Sequence, residues 1–127
     1  MALGMSQYLA NKVFDAIGNN TSLVITQVYI KLHVGDPGAA ATANAATETT
    51  RKSVSFATAA SGLMTSDAAT TWTAVAGSED YSHYSAWDAA SAGNFLWSGL
   101  ITAAAVTAGD TFTLASGDID LAITLAA

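Results

Sequence analysis

The sequence contains no cysteine, one proline and only four lysine and arginine residues. The lack of cysteine excludes disulfide bonds, thiolate zinc sites and cysteine nucleophiles together. Ten aspartate and glutamate residues give a formal net charge of −6, which argues against binding to the phosphate backbone of a nucleic acid. No apolar run approaches the roughly 18 residues of a membrane span, and no export signal is visible. We therefore expect neither nucleic acid nor membrane as a partner.

Charged residues make up only 11% of the chain, compared with about 25% in an average domain. Three Trp, four Tyr and four Phe supply material for a core, which argues against a disordered chain. The length allows a single domain over residues 1–127. A weakly charged surface is typical of a protein that packs against neighbouring subunits, although close packing of small residues would give the same composition.

One short amphipathic helix is predicted near the N-terminus. Ser6 is a suitable N-cap, and Gly18 offers a left-handed C-cap. The apolar stripe consists of Leu9, Val13 and Ile17. A helix of about three turns is unstable alone, so this stripe must dock on something. Either it packs on its own domain, or residues 1–20 form an arm whose stripe contacts a neighbouring subunit.

Alternation of apolar and polar residues predicts strands in the rest of the chain. The main predicted strands are residues 24–34, 51–56, 81–87, 94–101, 111–114 and 119–125. We expect 81–87 to pair with 94–101 as a hairpin, since only a small-residue connection separates them. The segments 111–114 and 119–125 are predicted to close the chain as another hairpin.

The segment 39–50 has no periodicity and almost no bulk, so we expect an extended or mobile Ala/Thr-rich loop. The rest predicts an all-β fold, an antiparallel β-sandwich or small barrel of about seven to eight strands with one short N-terminal helix. A parallel α/β sheet would need helices between the strands, and the sequence predicts none there.

The two histidines are the first candidates for chemistry. A Ser-His-Asp set can be written from His83, Asp88 and one of several serines, but no nucleophile elbow GxSxG occurs. His33 and His83 more simply fill space or hydrogen-bond to a neighbouring strand. We therefore predict no catalytic residue and no enzyme, and no cofactor is expected because phosphate-binding glycine motifs are missing.

Two aspartates near the C-terminus raise the possibility of a metal site. Asp118 and Asp120 are two residues apart and share one face of a strand, and Asp110 lies close if the hairpin forms. Such a group could coordinate calcium. The spacing of an EF-hand is absent, however, and acidic residues that flank turns on a solvated face are much more common, so no metal residue is predicted.

A basic pair and three tryptophans are candidate contact residues. Arg51 and Lys52 hold half of the basic side chains and either contact a negatively charged partner or form a solvated strand end. Trp72, Trp87 and Trp97 form a sugar-binding platform if they are exposed, but in an all-β domain such residues more often lie in the core or in a subunit interface.

Five segments occur in an order that covers nearly the whole chain. They are MALGMSQYLANKVFDAIGNNTS, YIKLHVGDPG, RKSVSF, HYSAWDAASAGNFLWSGLI and VTAGDTFTLASGDIDLAITL. In these segments and in their order, the sequence resembles a family of short tailed-bacteriophage virion proteins that are tail-fibre-like or decoration-like. None of the segments is a catalytic motif, so the resemblance implies a structural component of a phage particle, assembled in the host bacterial cytoplasm.

The resemblance also implies partners. Non-covalent assembly would give a homo-oligomer, for which a trimer is the expected form, in contact with the major capsid protein or a tail protein. Capsid decoration, in which a cement protein stabilises the exterior of the head, is the first interpretation, since acidic character suits a position away from DNA. A tail-fibre, tail-tip or adaptor component is the second interpretation, and a small carbohydrate-binding domain is the third.

Overall fold

The computed structural model describes residues 3–127 and shows an all-β fold with one short helix, which confirms the predicted class. The elements are α1 (Gln7–Gly18), β1 (Gly4–Met5), β2 (Val28–His33), β3 (Lys52–Val54), β4 (Leu63–Thr65), β5 (Thr70–Trp72), β6 (Glu79–Trp87), β7 (Phe95–Val106), β8 (Phe112–Leu114) and β9 (Asp120–Ala122). The described residues thus form nine strands in place of the predicted seven to eight. No helix within residues 3–127 is long and apolar enough to cross a membrane.

The strands form one antiparallel sheet in the order β1, β7, β6, β2, β3 and two smaller sheets, β4 with β9 and β5 with β8. The predicted hairpin is confirmed, because β6 and β7 pair at the centre of the large sheet. The predicted closing hairpin is wrong. β8 pairs with β5, β9 pairs with β4, and β9 ends at Ala122 although alternation continues to residue 125.

The core lies between the large sheet and the two small ones. The buried apolar residues of β2, β6 and β7 join those of β5 and β8 in one cluster. The Tyr81 ring meets Phe112 edge-on, with 4.9 Å between ring centroids, and Phe112 also packs against Trp72 at 6.0 Å. These aromatic contacts connect the large sheet to the sheet of β5 and β8, and the edge-on arrangement of Tyr81 and Phe112 is a favourable one for two aromatic rings.

The helix is attached to the sheet at its first turn. The Ser6 hydroxyl accepts a hydrogen bond from the backbone N–H of Leu9 (3.1 Å) and donates one to the carbonyl oxygen of Phe95 (2.6 Å), so the predicted N-cap is confirmed. The predicted left-handed C-cap at Gly18 is wrong, since the cap residue Asn19 has a φ of −124°. The left-handed residue is Asn20, with a φ of 53°.

The Ala/Thr-rich segment 39–50 is hydrogen-bonded to the domain. The backbone N–H of Ala46 donates to the carbonyl oxygen of Leu32 (3.2 Å). The backbone N–H of Thr47 lies 2.9 Å from both carboxylate oxygens of Glu79. The segment therefore has fixed partners on β2 and β6 that its composition does not predict, because small side chains give no periodic signal.

Candidate assembly surface

Arg51 makes its main contacts within its own chain. Its guanidinium carbon lies 3.9 Å from the centroid of the Trp87 ring, a cation–π geometry. Nη1 donates hydrogen bonds to the carbonyl oxygens of Ala89 (2.8 Å) and Ala92 (2.7 Å). Burial lowers the pKa of Arg51, and the charge of Asp88 opposes this shift. Arg51 thus holds the connection between β6 and β7 in place.

Lys52 occupies a different environment from its neighbour. It is half-buried in β3, which is the outer strand of the large sheet and pairs only with β2. A lysine on an outer strand hinders the addition of another strand there. The two members of the predicted contact pair therefore have separate roles, and Lys52 lies at the edge where a partner surface could reach it.

A buried serine and histidine meet in the structure, but they are not the pair that the sequence suggested. Nε2 of His33 lies 2.8 Å from Oγ of Ser85, and Nδ1 of His33 lies 2.9 Å from the carbonyl oxygen of Ala43. The indole N–H of Trp87 donates to the same Ser85 oxygen (2.8 Å). A neutral imidazole with its proton on Nδ1 satisfies all three bonds. The side chains of His33 and Ser85 are fully buried, so a substrate cannot reach the Ser85 hydroxyl.

The suggested set of His83, Asp88 and a serine does not form. Nδ1 of His83 lies 2.8 Å from Oγ of Ser82. The Asp88 carboxylate instead accepts hydrogen bonds from the backbone N–H (2.7 Å) and side-chain amide (2.9 Å) of Asn94. His83 and Asp88 are five positions apart along nearly extended chain, which corresponds to roughly 17 Å. Asp88 therefore shapes the connection after β6 and does not orient the imidazole.

We expect the free energy of unfolding to fall as the pH drops below about 6.5, the ordinary histidine value. Burial lowers the pKa of His33, and the hydrogen bond to Ala43 only partly opposes this effect. The unfolded chain then binds a proton at His33 more readily than the folded chain does. This contribution to stability is complete above the unfolded pKa and is lost as the pH falls towards the folded pKa. Urea unfolding across this window measures it.

Two variants assign the pH effect to one residue. His33→Gln should remove this dependence of the free energy of unfolding on pH. His83→Gln should retain it, although His83 lies opposite His33 in the pairing of β2 with β6. Lys31 and His83 also lower the pKa of His33 electrostatically, each by less than burial does. An unchanged slope in His33→Gln would show that another group produces the effect.

The C-terminal aspartates serve as turn residues. Oδ2 of Asp110 accepts the backbone N–H of Thr107, and Oδ2 of Asp118 accepts that of Ala115, each at 2.9 Å. Asp120 is exposed at the start of β9. In the part of the chain that the structure describes, no three His, Asp or Glu side chains lie together where they could hold a metal ion.

The three tryptophans do not form a common exposed surface. Trp72 and Trp97 are buried in the core. Trp87 is half-buried, and the guanidinium of Arg51 covers one face of its ring. A sugar-binding platform needs open aromatic faces, and Trp72 and Trp97 do not offer them. The prediction that tryptophans belong to the core is therefore confirmed for these two.

The three stripe residues of α1 lie in different environments. Leu9 is 4% exposed and belongs to the core, and Val13 packs against that core. Ile17 is 77% exposed at the free end of the helix. Phe14, which the stripe does not include, is 68% exposed. The signal that could have identified Phe14 is its position as a large apolar residue outside the buried stripe. Ile17 and Phe14 are thus the two most exposed large apolar residues of the helix.

A groove of about 440 Å³ lies beside α1, and we call it the apolar groove. Its fourteen lining residues are all apolar or glycine and come from β1, α1, residues 23–28, residues 56–64, β7 and residues 121–123. Leu9, Val13, Leu23, Trp97 and Ile123 are among them. Sequence analysis missed this groove because its walls come from distant parts of the chain.

The predicted resemblance to a family of tailed-phage virion proteins is confirmed by a family model. Residues 4–122 match the family model of the podophage GP4 fiber I protein gp80, and the chain belongs to this family. The match includes α1 and all nine strands of the described residues, so the family resemblance extends over the whole fold. No curated protein matches the chain.

Proposed function

We propose that the protein is a structural component of a podophage tail fibre and that it acts by non-covalent assembly with other subunits. The observation that carries this proposal is the match over residues 4–122 to a family described as a fibre protein. The match ends at Ala122, which is also the last residue of β9. The family model therefore covers α1 and all nine strands of the described residues.

The proposal involves no catalytic step. Its support is that the polar groups best suited to chemistry are engaged inside the fold. His33 and Ser85 are sealed from solvent, and Asp110 and Asp118 bind backbone N–H groups of turns. The expected partners are copies of the same chain, with a trimer as the first form to test, and a second tail protein. Assembly takes place in the host cytoplasm under this proposal.

Capsid decoration is the competing location for the same structural role. The sequence favours it because a net charge of −6 suits the outside of a DNA-filled head. That argument applies equally to a tail fibre, which is also exterior, whereas the family description names a fibre. The proposal therefore takes the tail position. The carbohydrate-binding alternative has less support, since two of the three tryptophans are buried.

The copy number of the protein in purified phage particles tests this proposal. Quantitative mass spectrometry would give its ratio to the major capsid protein, with a tail protein of the same particles as the internal control. We expect a small fixed number, similar to that of the tail control. A copy number close to that of the major capsid protein would support decoration and contradict the fibre proposal. Absence from the particles would contradict both locations.

A further inference from the structure

Backbone hydrogen bonds close the fold at one edge of the large sheet. The chain that follows β3 bonds to the chain that leads from β4 to β5. The backbone N–H of Ala57 donates to the carbonyl oxygen of Thr65 (3.0 Å). The backbone N–H of Asp67 donates to the carbonyl oxygen of Ser55 (3.1 Å). Because β5 in turn pairs with β8, the large sheet is joined at its β3 edge to the small sheet of β5 and β8.

The opposite edge of the large sheet, formed by β7, is unpaired over most of its length. β1 covers only Trp97 and Ser98 of β7. Within residues 3–127, the backbone of residues 100–104 has no hydrogen-bond partner on a strand other than β6, and β8 has none on a strand other than β5. A register shift also leaves residues 101–103 without a paired residue on β6. Since strands offer N–H and C=O groups on both sides, β7 and β8 each carry unpaired backbone groups.

These two unpaired strand edges face each other across a cleft. The cleft has a volume of about 300 Å³ and is lined by residues 100–104 of β7, by β8 and by Asp118. Strands that hydrogen-bond directly lie about 4.8 Å apart, so two strands that flank a third lie about 10 Å apart. β7 and β8 are further apart than the hydrogen-bonded strands of this fold. The fold therefore has a position for one more strand, between β8 and β7.

The lining of the cleft specifies an extended polypeptide as its ligand. An extended chain offers N–H and C=O groups on both of its sides, at the spacing that β7 and β8 require. Phe112 and Leu114 line the cleft and are buried members of the core, so the inward side chains of an added strand should be apolar. Asp118 is the one charged residue of the lining, and the chain has a net charge of −6. These charges favour a segment without acidic residues.

We propose that an extended segment of a second tail protein adds as a strand between β7 and β8 and anchors this protein in the fibre. At this cleft, a net charge of −6 on each copy favours a different protein over another copy of the chain. The chain's own alternating C-terminal residues are already held elsewhere, since the backbone N–H of Ile123 donates to the carbonyl oxygen of Gly62 (2.8 Å). The inference rests on the proposed function, because it names the partner that the fibre component binds and the surface that binds it.

Hydrogen exchange of backbone amides, measured by mass spectrometry on the isolated protein and on purified particles, tests the strand addition. Peptides that cover residues 100–104 and 112–114 should exchange at least about tenfold more slowly in particles, because an added strand hydrogen-bonds their free amides. Peptides from β2 are the internal control, since both neighbours of β2 are present in the isolated protein. Equal exchange of the cleft peptides in particles and in isolation would overturn the proposal.

A lysine in the cleft should block the added strand. Ala103 is exposed and lines the cleft, so Ala103→Lys places a charge at the unpaired edge. We expect the copies incorporated per particle to fall by about tenfold or more. Ala105→Lys is the matched control, because Ala105 is exposed on the same strand but does not line the cleft. Urea unfolding checks that both variants fold, and incorporation of Ala103→Lys at the level of Ala105→Lys would contradict the cleft as the binding site.

The results separate this inference from the proposed function. A protein present at the copy number of the tail control, but with cleft amides that exchange as in isolation, would overturn the strand addition alone. Absence of the wild-type protein from particles would contradict the fibre proposal and with it the partner named here. Slow exchange of the cleft amides in the isolated protein at high concentration would assign the added strand to a second copy and overturn the second tail protein as the partner.

Discussion

Gly99→Ala should lower the free energy of unfolding by about 3 kcal/mol, near the upper end of the usual cost of overpacking. Gly99 lies directly opposite Tyr84 in the pairing of β7 with β6. A methyl group there would lie 2.6 Å from the Tyr84 hydroxyl oxygen and 2.7 Å from two ring carbons. The ring cannot move without cost, because its hydroxyl donates to the carbonyl oxygen of Asp120 (3.1 Å) and accepts from the indole of Trp97.

Urea unfolding measures the effect, and two further variants isolate its cause. Gly18→Ala adds the same methyl at the end of α1, where nothing lies within 4 Å, and should be neutral or slightly stabilising. In a Tyr84→Ala background the ring is gone, so Gly99→Ala should cost little. If Gly99→Ala lowered the free energy of unfolding equally in the wild-type and Tyr84→Ala backgrounds, contact with Tyr84 would not be responsible.

Trp72→Ala should lower the free energy of unfolding by about 4 kcal/mol, the usual cost of removing a large buried aromatic side chain. The Trp72 ring is fully buried and packs against Phe112, which in turn contacts Tyr81 of the large sheet. Its indole N–H donates to the carbonyl oxygen of Thr50 (2.8 Å). Removal of the ring therefore leaves a cavity in the core and removes the hydrogen bond to Thr50.

Trp72→Phe provides the graded comparison for this prediction. It keeps an aromatic ring in the core but removes the hydrogen bond to Thr50 and part of the volume, so we expect a loss of about 2 kcal/mol. Unfolding by urea, followed by the fluorescence of the remaining tryptophans, measures both variants. A loss below about 1 kcal/mol for Trp72→Ala would contradict the position of the core between the large and small sheets.

Local sequence patterns predicted the elements whose partners are near in the chain. The hairpin of β6 and β7 was predictable because two alternating segments flank a short connection. The N-cap Ser6 was predictable because its side chain bonds within the first turn. The pairing of β8 with β5 and of β9 with β4 was not, since three-residue strands carry little periodicity and their partners are distant in sequence.

The assembly surface was predictable only in part, because it depends on contacts between distant elements. Helical spacing identified Ile17 but could not show that Leu9 enters the core while the helix end stays exposed. The basic pair was visible in the sequence, yet the stacking of Arg51 on Trp87 requires the folded sheet. The apolar groove combines separate segments between residues 5 and 123, and no local pattern joins them.

The position of the protein on the particle tests the fibre proposal most directly. Antibodies against the purified protein, labelled with gold and imaged on intact phage by electron microscopy, would show that position. An antibody against the major capsid protein is the control for labelling of the head. We predict gold at the tail and a bare head surface. Gold distributed over the head would contradict the fibre proposal.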